Sequence, residues 1–241
     1  MNEPVHDRDV PWAGIAEVLR PTYGDQTAII LIGSAARGVW TPQSDIDLLV
    51  IAKERPTPKA VPHYHIQVSS EEQFRKNLAA GEDFEAWCVR FGQPLYDSGI
   101  WKHIRATNET NIWPRWQTKV VHAARRLFMA ASLLRSGDVD ASAEETLYVL
   151  GHIARGLLLR ANVFPLSRPE LAEQVKGLGY PHLASLHEQL RLDDRLPLHH
   201  IGAAQRYSKK LLLIMDRAIY AEAAQEYRRI RTAKEARHES S

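Results

Sequence analysis

Apolar positions recur with two different rhythms along this chain. In the first half, short apolar runs alternate with helical patterns. The spacing predicts a helix over 11–20, with Asp9 as its cap and Ile15, Val18 and Leu19 as its apolar side. A buried strand follows over 28–32, then one helical turn over 34–37 and a second strand over 45–52. A third strand over 63–69 sets Tyr64, Ile66 and Val68 on one face and His63, His65 and Gln67 on the other. Ser70 caps a helix over 71–80, residues 84–90 continue helically, and 92–97 turns into a short edge strand.

The second half has helical rhythm only. After a linker over 98–111, helices are predicted over 112–135, ended by Gly137, and over 141–161, opened by a Ser142/Glu145 capping box. Leu147, Leu150, Ala154, Leu157, Leu158 and Ala161 form an apolar stripe on the latter. Ser167 and Glu170 make a second capping box, for a helix to about residue 176. A helix over 182–191 and one long helix over 197–237 complete a bundle of about five helices. The expected fold class is therefore α+β. A small mixed-sheet domain, residues 1–105, precedes an all-α helical bundle, residues 106–241.

Composition narrows the picture modestly. A chain of 241 residues with 44% hydrophobic and 25% charged residues is ordinary for a soluble globular protein. The net charge of +2 does not announce a nucleic-acid partner. The basic run Arg228, Arg229, Arg231, Lys234 and Arg237 reads as a solvated helix end. The single cysteine, Cys88, excludes an internal disulfide, fits a reducing compartment and reads as core. No apolar run is long enough to span a membrane, and residues 1–10 carry no signal-peptide pattern. The expected location is cytoplasmic, with no membrane partner and self-association left open.

The chemistry concentrates in residues 31–50, LIGSAARGVWTPQSDIDLLV. Gly33-Ser34 follows the first apolar run, and a glycine there allows backbone N–H groups to approach a phosphate closely. Asp45 and Asp47 flank Ile46, so in a strand they project to one side, about 7 Å apart along the backbone. Asp is disfavoured in strands, and two within an apolar run need a reason. A pair of oxygen ligands beside a phosphate cradle suits Mg²⁺.

Gly33-Ser34 followed by Asp45-Ile46-Asp47 resembles the signature of nucleotidyltransferases of the DNA polymerase β superfamily. Arg37-Gly38 and Ser44 resemble its small bacterial branch, which holds the minimal and the aminoglycoside nucleotidyltransferases. The resemblance implies an enzyme that transfers a nucleoside monophosphate from a nucleoside triphosphate, ATP being the first expectation, to a hydroxyl. The implied acceptor is a small molecule bound between the domains. It further implies that Gly33, Ser34, Arg37 and Ser44 bind the nucleotide, and that Asp45 and Asp47 are catalytic and hold two Mg²⁺ ions. The helical half is similar to domains appended to bacterial nucleotidyltransferases, some of them related to the HEPN class. HEPN ribonucleases pair an arginine with a histidine four to six residues on. Neither Arg155 nor Arg160 is followed that way, so no ribonuclease activity is expected.

The family usually adds a third carboxylate from a neighbouring strand. The strand HYHIQVSS has none, and Gln67 or His65 stands at the third position. Gln67 offers a metal a neutral oxygen, whereas His65 prefers softer ions than Mg²⁺. Glu144 and Glu145 are alternative bases, although first-turn acids are also favoured by the helix dipole. Two other readings stay open: an AMPylating nucleotidyltransferase of antitoxin type that modifies a protein, and a non-catalytic nucleotide-binding relative.

Overall fold

A computed structural model describes residues 12, 14–40, 45–58, 60–108, 113–192 and 197–238. Ser44, Asp9 and the side chains of Arg231, Lys234 and Arg237, all singled out above, lie outside the described residues. The chain divides into two compact units, Met1–Pro114 and Arg115–Ser241.

The first unit is built on a four-stranded sheet. Its elements run α1 (Ile15–Tyr23), β1 (Thr27–Leu31), α2 (Gly33–Ala36), β2 (Ile46–Ala52), β3 (Tyr64–Ser70), α3 (Glu71–Ala80), α4 (Asp83–Phe91), β4 (Gln93–Asp97) and α5 (Ile100–Asn108). The strand order is β3-β2-β1-β4. β1 pairs antiparallel with both β2 and β4, and β2 pairs parallel with β3, so the sheet is mixed. All five residues of β1 are buried, and in β2 every residue is buried except Asp47. A polar side chain held open at one position of an otherwise buried strand has to be explained by chemistry rather than by packing.

Helix α1 starts later than its apolar rhythm predicts, at Ile15 after a left-handed Gly14, and it carries Pro21 inside. Ser70 caps α3 as expected, its hydroxyl accepting from the Gln73 N–H at 3.1 Å. Helix α5 occupies what reads in the sequence as a linker. Asp97 starts it by accepting from the backbone N–H groups of Gly99, Trp101 and Lys102. Trp101 is buried against Phe74 of α3, ring centroids 5.9 Å apart, which holds α5 on the domain.

The second unit holds six helices among the described residues: α6 (Trp116–Ser136), α7 (Val139–Arg160), α8 (Arg168–Gly177), α9 (Pro181–Leu192), α10 (Leu198–Met215) and α11 (Arg217–His238). Two sequence expectations are corrected here. The predicted Ser142/Glu145 capping box is absent, because Asp138 caps α7 four residues before Ser142 by accepting from Ala141 N–H at 3.2 Å. Ser142 is instead buried and donates to the Ala130 carbonyl, while Gln205 of α10 donates to Ser142 and Thr146. The single long helix over 197–237 is two helices. Asp216 turns extended between them, and its carboxylate accepts from the Ile219 N–H at 3.0 Å, capping α11. The Ser167/Glu170 capping box does form at the start of α8.

No helix of the described residues is long and apolar enough to cross a membrane.

Candidate active site

The site lies where β1 hands over to α2 and where β2 begins. β1 runs apolar to Leu31, and the chain then turns at Gly33, whose φ is +70°. This left-handed backbone favours glycine, and a second constraint adds to it. A Cβ on Gly33 would fall on Asp47 Oδ2 and lie 3.0 Å from Asp47 Cγ. The turn and the carboxylate are thus packed backbone to side chain, with no room for a methyl group between them. The register is held by the Ile32 N–H, which donates to the Asp47 carbonyl at 2.9 Å.

Asp47 is half-buried, with 34% of its side chain exposed. Its other oxygen, Oδ1, lies 3.0 Å from His65 Nδ1. The parallel pairing of β2 with β3 sets His65 directly across from Asp47, and Gln67 across from Leu49. Of the two residues expected at the third position, His65 is therefore the one at Asp47. Gln67 sits two residues further along the same face of β3. His63 precedes the strand in a left-handed turn, φ +67°, and its carbonyl accepts from Ile46 N–H.

Asp45 stands exposed immediately before β2. Ser34 is in the first turn of α2, where its carbonyl accepts from the N–H groups of Arg37 and Val39. Arg37 ends α2, its guanidinium carbon 6.0 Å from the centre of the Phe91 ring. Among the described residues, no group of three or more His, Cys, Asp or Glu side chains is arranged around a common point for a metal. Asp47 and His65 are brought together and Gly33 is brought against Asp47. The donor chemistry of Asp47 fits a divalent cation shared with phosphate oxygens, since its carboxylate reaches solvent against the glycine turn, while Asp45 is exposed just before β2.

Behind the site lies an acidic flank that the sequence reading passed over. Asp83 and Glu85 of α4 are buried, and Glu85 accepts from Asn77 Nδ2 at 2.7 Å. Burial pushes the Glu85 carboxyl up, with the Asn77 hydrogen bond opposing that shift. Burial also raises the Cys88 thiol well above its usual range, and the nearby charges of Glu85, Asp47 and Asp83 add to it. The signal available in the sequence was the cluster Glu82, Asp83 and Glu85 interleaved with Phe84 and the Ala86–Val89 run. In the second unit, Glu145 is engaged by Arg126 at 2.7 Å, so it is an ion-pair partner and not an open base.

Residues 14–109 match the family model described as the nucleotidyltransferase domain. The fold is also similar to that of a nucleotidyltransferase-like protein from Exiguobacterium sibiricum 255-15. That similarity has 20% sequence identity and a TM-score of 0.47, and covers 90% of this chain and 78% of that one. No curated protein matches the chain.

Proposed function

We propose that residues 14–109, which match the nucleotidyltransferase-domain model, act as a nucleotidyltransferase of the DNA polymerase β superfamily, and that the chain transfers a nucleoside monophosphate, with ATP as donor, to a hydroxyl of a small molecule. The observation that carries this reading is the packing of the Gly33 turn against the Asp47 carboxylate. It brings a backbone able to approach phosphate and a metal-ligating oxygen into contact. A phosphate held at the turn is then in reach of an ion held at the aspartate.

In this reading the backbone N–H groups of Gly33 and Ser34 hold the β- and γ-phosphates. Arg37 adds positive charge, and Ser44 contributes beside the first aspartate. Asp45 and Asp47 would hold the divalent cations, two Mg²⁺ in the arrangement the family resemblance implies. Held there, such cations would polarise the α-phosphate, lower the pKa of the acceptor hydroxyl and offset the charge of departing pyrophosphate. The acceptor oxygen bonds to the α-phosphorus as the bond to the bridging oxygen of the β-phosphate breaks, and the hydroxyl proton passes to solvent. Asp47 is preorganised for this task, with Gly33 against one oxygen and His65 on the other.

His65 at the third position favours a second reading, in which the domain binds nucleotide and transfers nothing. One experiment separates the readings. The protein is incubated with ATP labelled at the α-phosphate and a deproteinised, low-mass cell extract, with and without added protein extract. Label in a new small molecule, lost in Asp47→Asn, is the expected result. Label on a protein band would move the acceptor to a protein, and tight binding with no label transferred would support the non-catalytic reading.

A further inference from the structure

Helices α6 and α7 run antiparallel, and three contacts fix the register of the seam between them. Arg126 pairs with Glu145 at 2.7 Å, and its guanidinium carbon lies 4.6 Å from the centre of the Tyr148 ring. The His122 and His152 rings meet with centroids 5.4 Å apart. A Cβ on Gly156 would lie 3.4 Å from the Lys119 Cβ. Residues 119, 122 and 126 therefore form one stripe, and 148, 152 and 155 form the stripe facing it, each with the three- and four-residue spacing of a single helix face. The charge along this seam is lopsided. Residues 116–136 hold Lys119, Arg125, Arg126 and Arg135 and no Asp or Glu, and residues 146–160 hold Arg155 and Arg160 and no Asp or Glu. Arg125 pairs with Glu226 of α11, and Arg160 donates to the Met215 carbonyl. The one acid of the seam, Glu145, is neutralised by Arg126 at one end. Toward the other end, Lys119 and Arg155 stand at the level of the two imidazoles.

We propose that His122, His152 and Arg155 of the helical unit bind the phosphate group of a small phosphate monoester. The three side chains are half-buried, so they reach a ligand from a partly desolvated surface where charge acts more strongly than in water. Lys119 is only 4% exposed and contributes through its charge rather than by touching the ligand. His152 and Arg155 are three residues apart, about 4.5 Å along the helix axis, within the reach of one phosphate group. A guanidinium fork donates to two phosphate oxygens at once, and each imidazole donates an N–H to a further oxygen or edge. A long polyanion would need positive charge continuing along the surface, and this stripe ends at the Arg126–Glu145 pair. A small ligand fits that length. The inference concerns the second unit by itself and does not depend on the nucleotide site of the first.

The test uses the full chain in EDTA and without nucleotide. The probes are inorganic phosphate, a sugar phosphate, the same sugar without phosphate, and a short single-stranded RNA. Calorimetry measures affinity, and the imidazole nitrogen resonances, assigned with His122→Gln and His152→Gln, report where the probe sits. The expected results are binding of the two phosphates, none of the neutral sugar, and shifts confined to the His122 and His152 signals. Arg155→Gln should weaken phosphate binding by at least about tenfold, while its Mg²⁺-dependent binding of an ATP analogue stays as in wild type. Arg155→Lys should retain part of the phosphate affinity, and it serves if the glutamine variant folds poorly. Asp47→Asn should bind the phosphates as wild type does. No binding of either phosphate would overturn the inference. Binding that persists in Arg155→Gln and disappears in Asp47→Asn would also overturn it, by moving the phosphate to the Gly33 turn. RNA that binds more tightly than the sugar phosphate and displaces it would replace the small ligand with a nucleic acid and overturn it as well.

Discussion

The Asp47 carboxylate occupies the space that a side chain on Gly33 would need. Position 33 is thus constrained twice, by its left-handed backbone and by the aspartate packed against its Cα. Gly33→Ala should cost roughly 1–2 kcal/mol for backbone conformation alone, and it should displace Asp47 in addition. The expected outcome is a lower melting temperature together with at least about tenfold weaker metal-dependent nucleotide binding. A melting scan and a calorimetric titration on the same preparation check it. Unchanged nucleotide affinity would separate the turn from the site.

The division between α10 and α11 depends on Asp216. Its carboxylate accepts from Ile219 N–H, and Arg160 donates to the Met215 carbonyl at the end of α10. Asp216→Ala should destabilise the helical unit by about 1 kcal/mol, the usual loss for an N-cap. Asp216→Asn should recover most of that loss because it keeps the accepting oxygen. Chemical denaturation of the two variants gives the answer.

Sequence rhythm alone located β1, β2, β3 and α3, and the reason is local. Each of these is an apolar run, an alternating strand or a capped helix whose signals lie within a few residues, as at Ser70. The misses have a common cause, an aspartate whose role depends on the geometry around it. Asp97 looks like the end of a strand yet starts α5, and Asp216 sits within an unbroken helical rhythm yet stops it. Asp138 caps α7 in place of a better-looking Ser142, which packing against Gln205 had claimed. Spacing singled out Gly33 and Asp47, which the structure packs against each other. The choice between His65 and Gln67 was not legible, because it depends on the register of β2 with β3 and a shift of one residue would turn the whole face.

Glu85 gives the first unit a built-in pH dependence. Its carboxyl is raised by burial, so between the unfolded and folded pKa values the native state holds a proton that the unfolded chain has lost. Stability is then fully present below about pH 4.3, where a free Glu titrates, and is lost as pH rises through the folded value. Glu85→Gln keeps an acceptor for Asn77 and carries no charge. It should melt higher than wild type at neutral pH, and the two curves should converge in acid. Melting temperature against pH is the measurement. A variant that melts lower at neutral pH would show that the ionised carboxylate is the stabilising form.

Cys88 is buried, and its thiol is held well above its ordinary range by burial and by nearby carboxylates. Nucleophilic thiolate is therefore scarce. The native protein should resist a disulfide-exchange reagent at mildly alkaline pH, and the denatured chain should react fully. Absorbance of the released thiol reports both. Rapid native labelling would place Cys88 at the surface.

The central claim is that the Gly33 turn and the Asp45/Asp47 pair form one metal-dependent nucleotide site. The most direct measurement is a calorimetric titration of the whole chain with a non-hydrolysable ATP analogue, with divalent cation and again in EDTA, for wild type and Asp47→Asn. The account predicts binding with the cation and none in EDTA. It also predicts a loss of about tenfold or more in Asp47→Asn, whose melting temperature should stay near that of wild type because little volume changes. Equal affinity in EDTA, or wild-type affinity in Asp47→Asn, would contradict it.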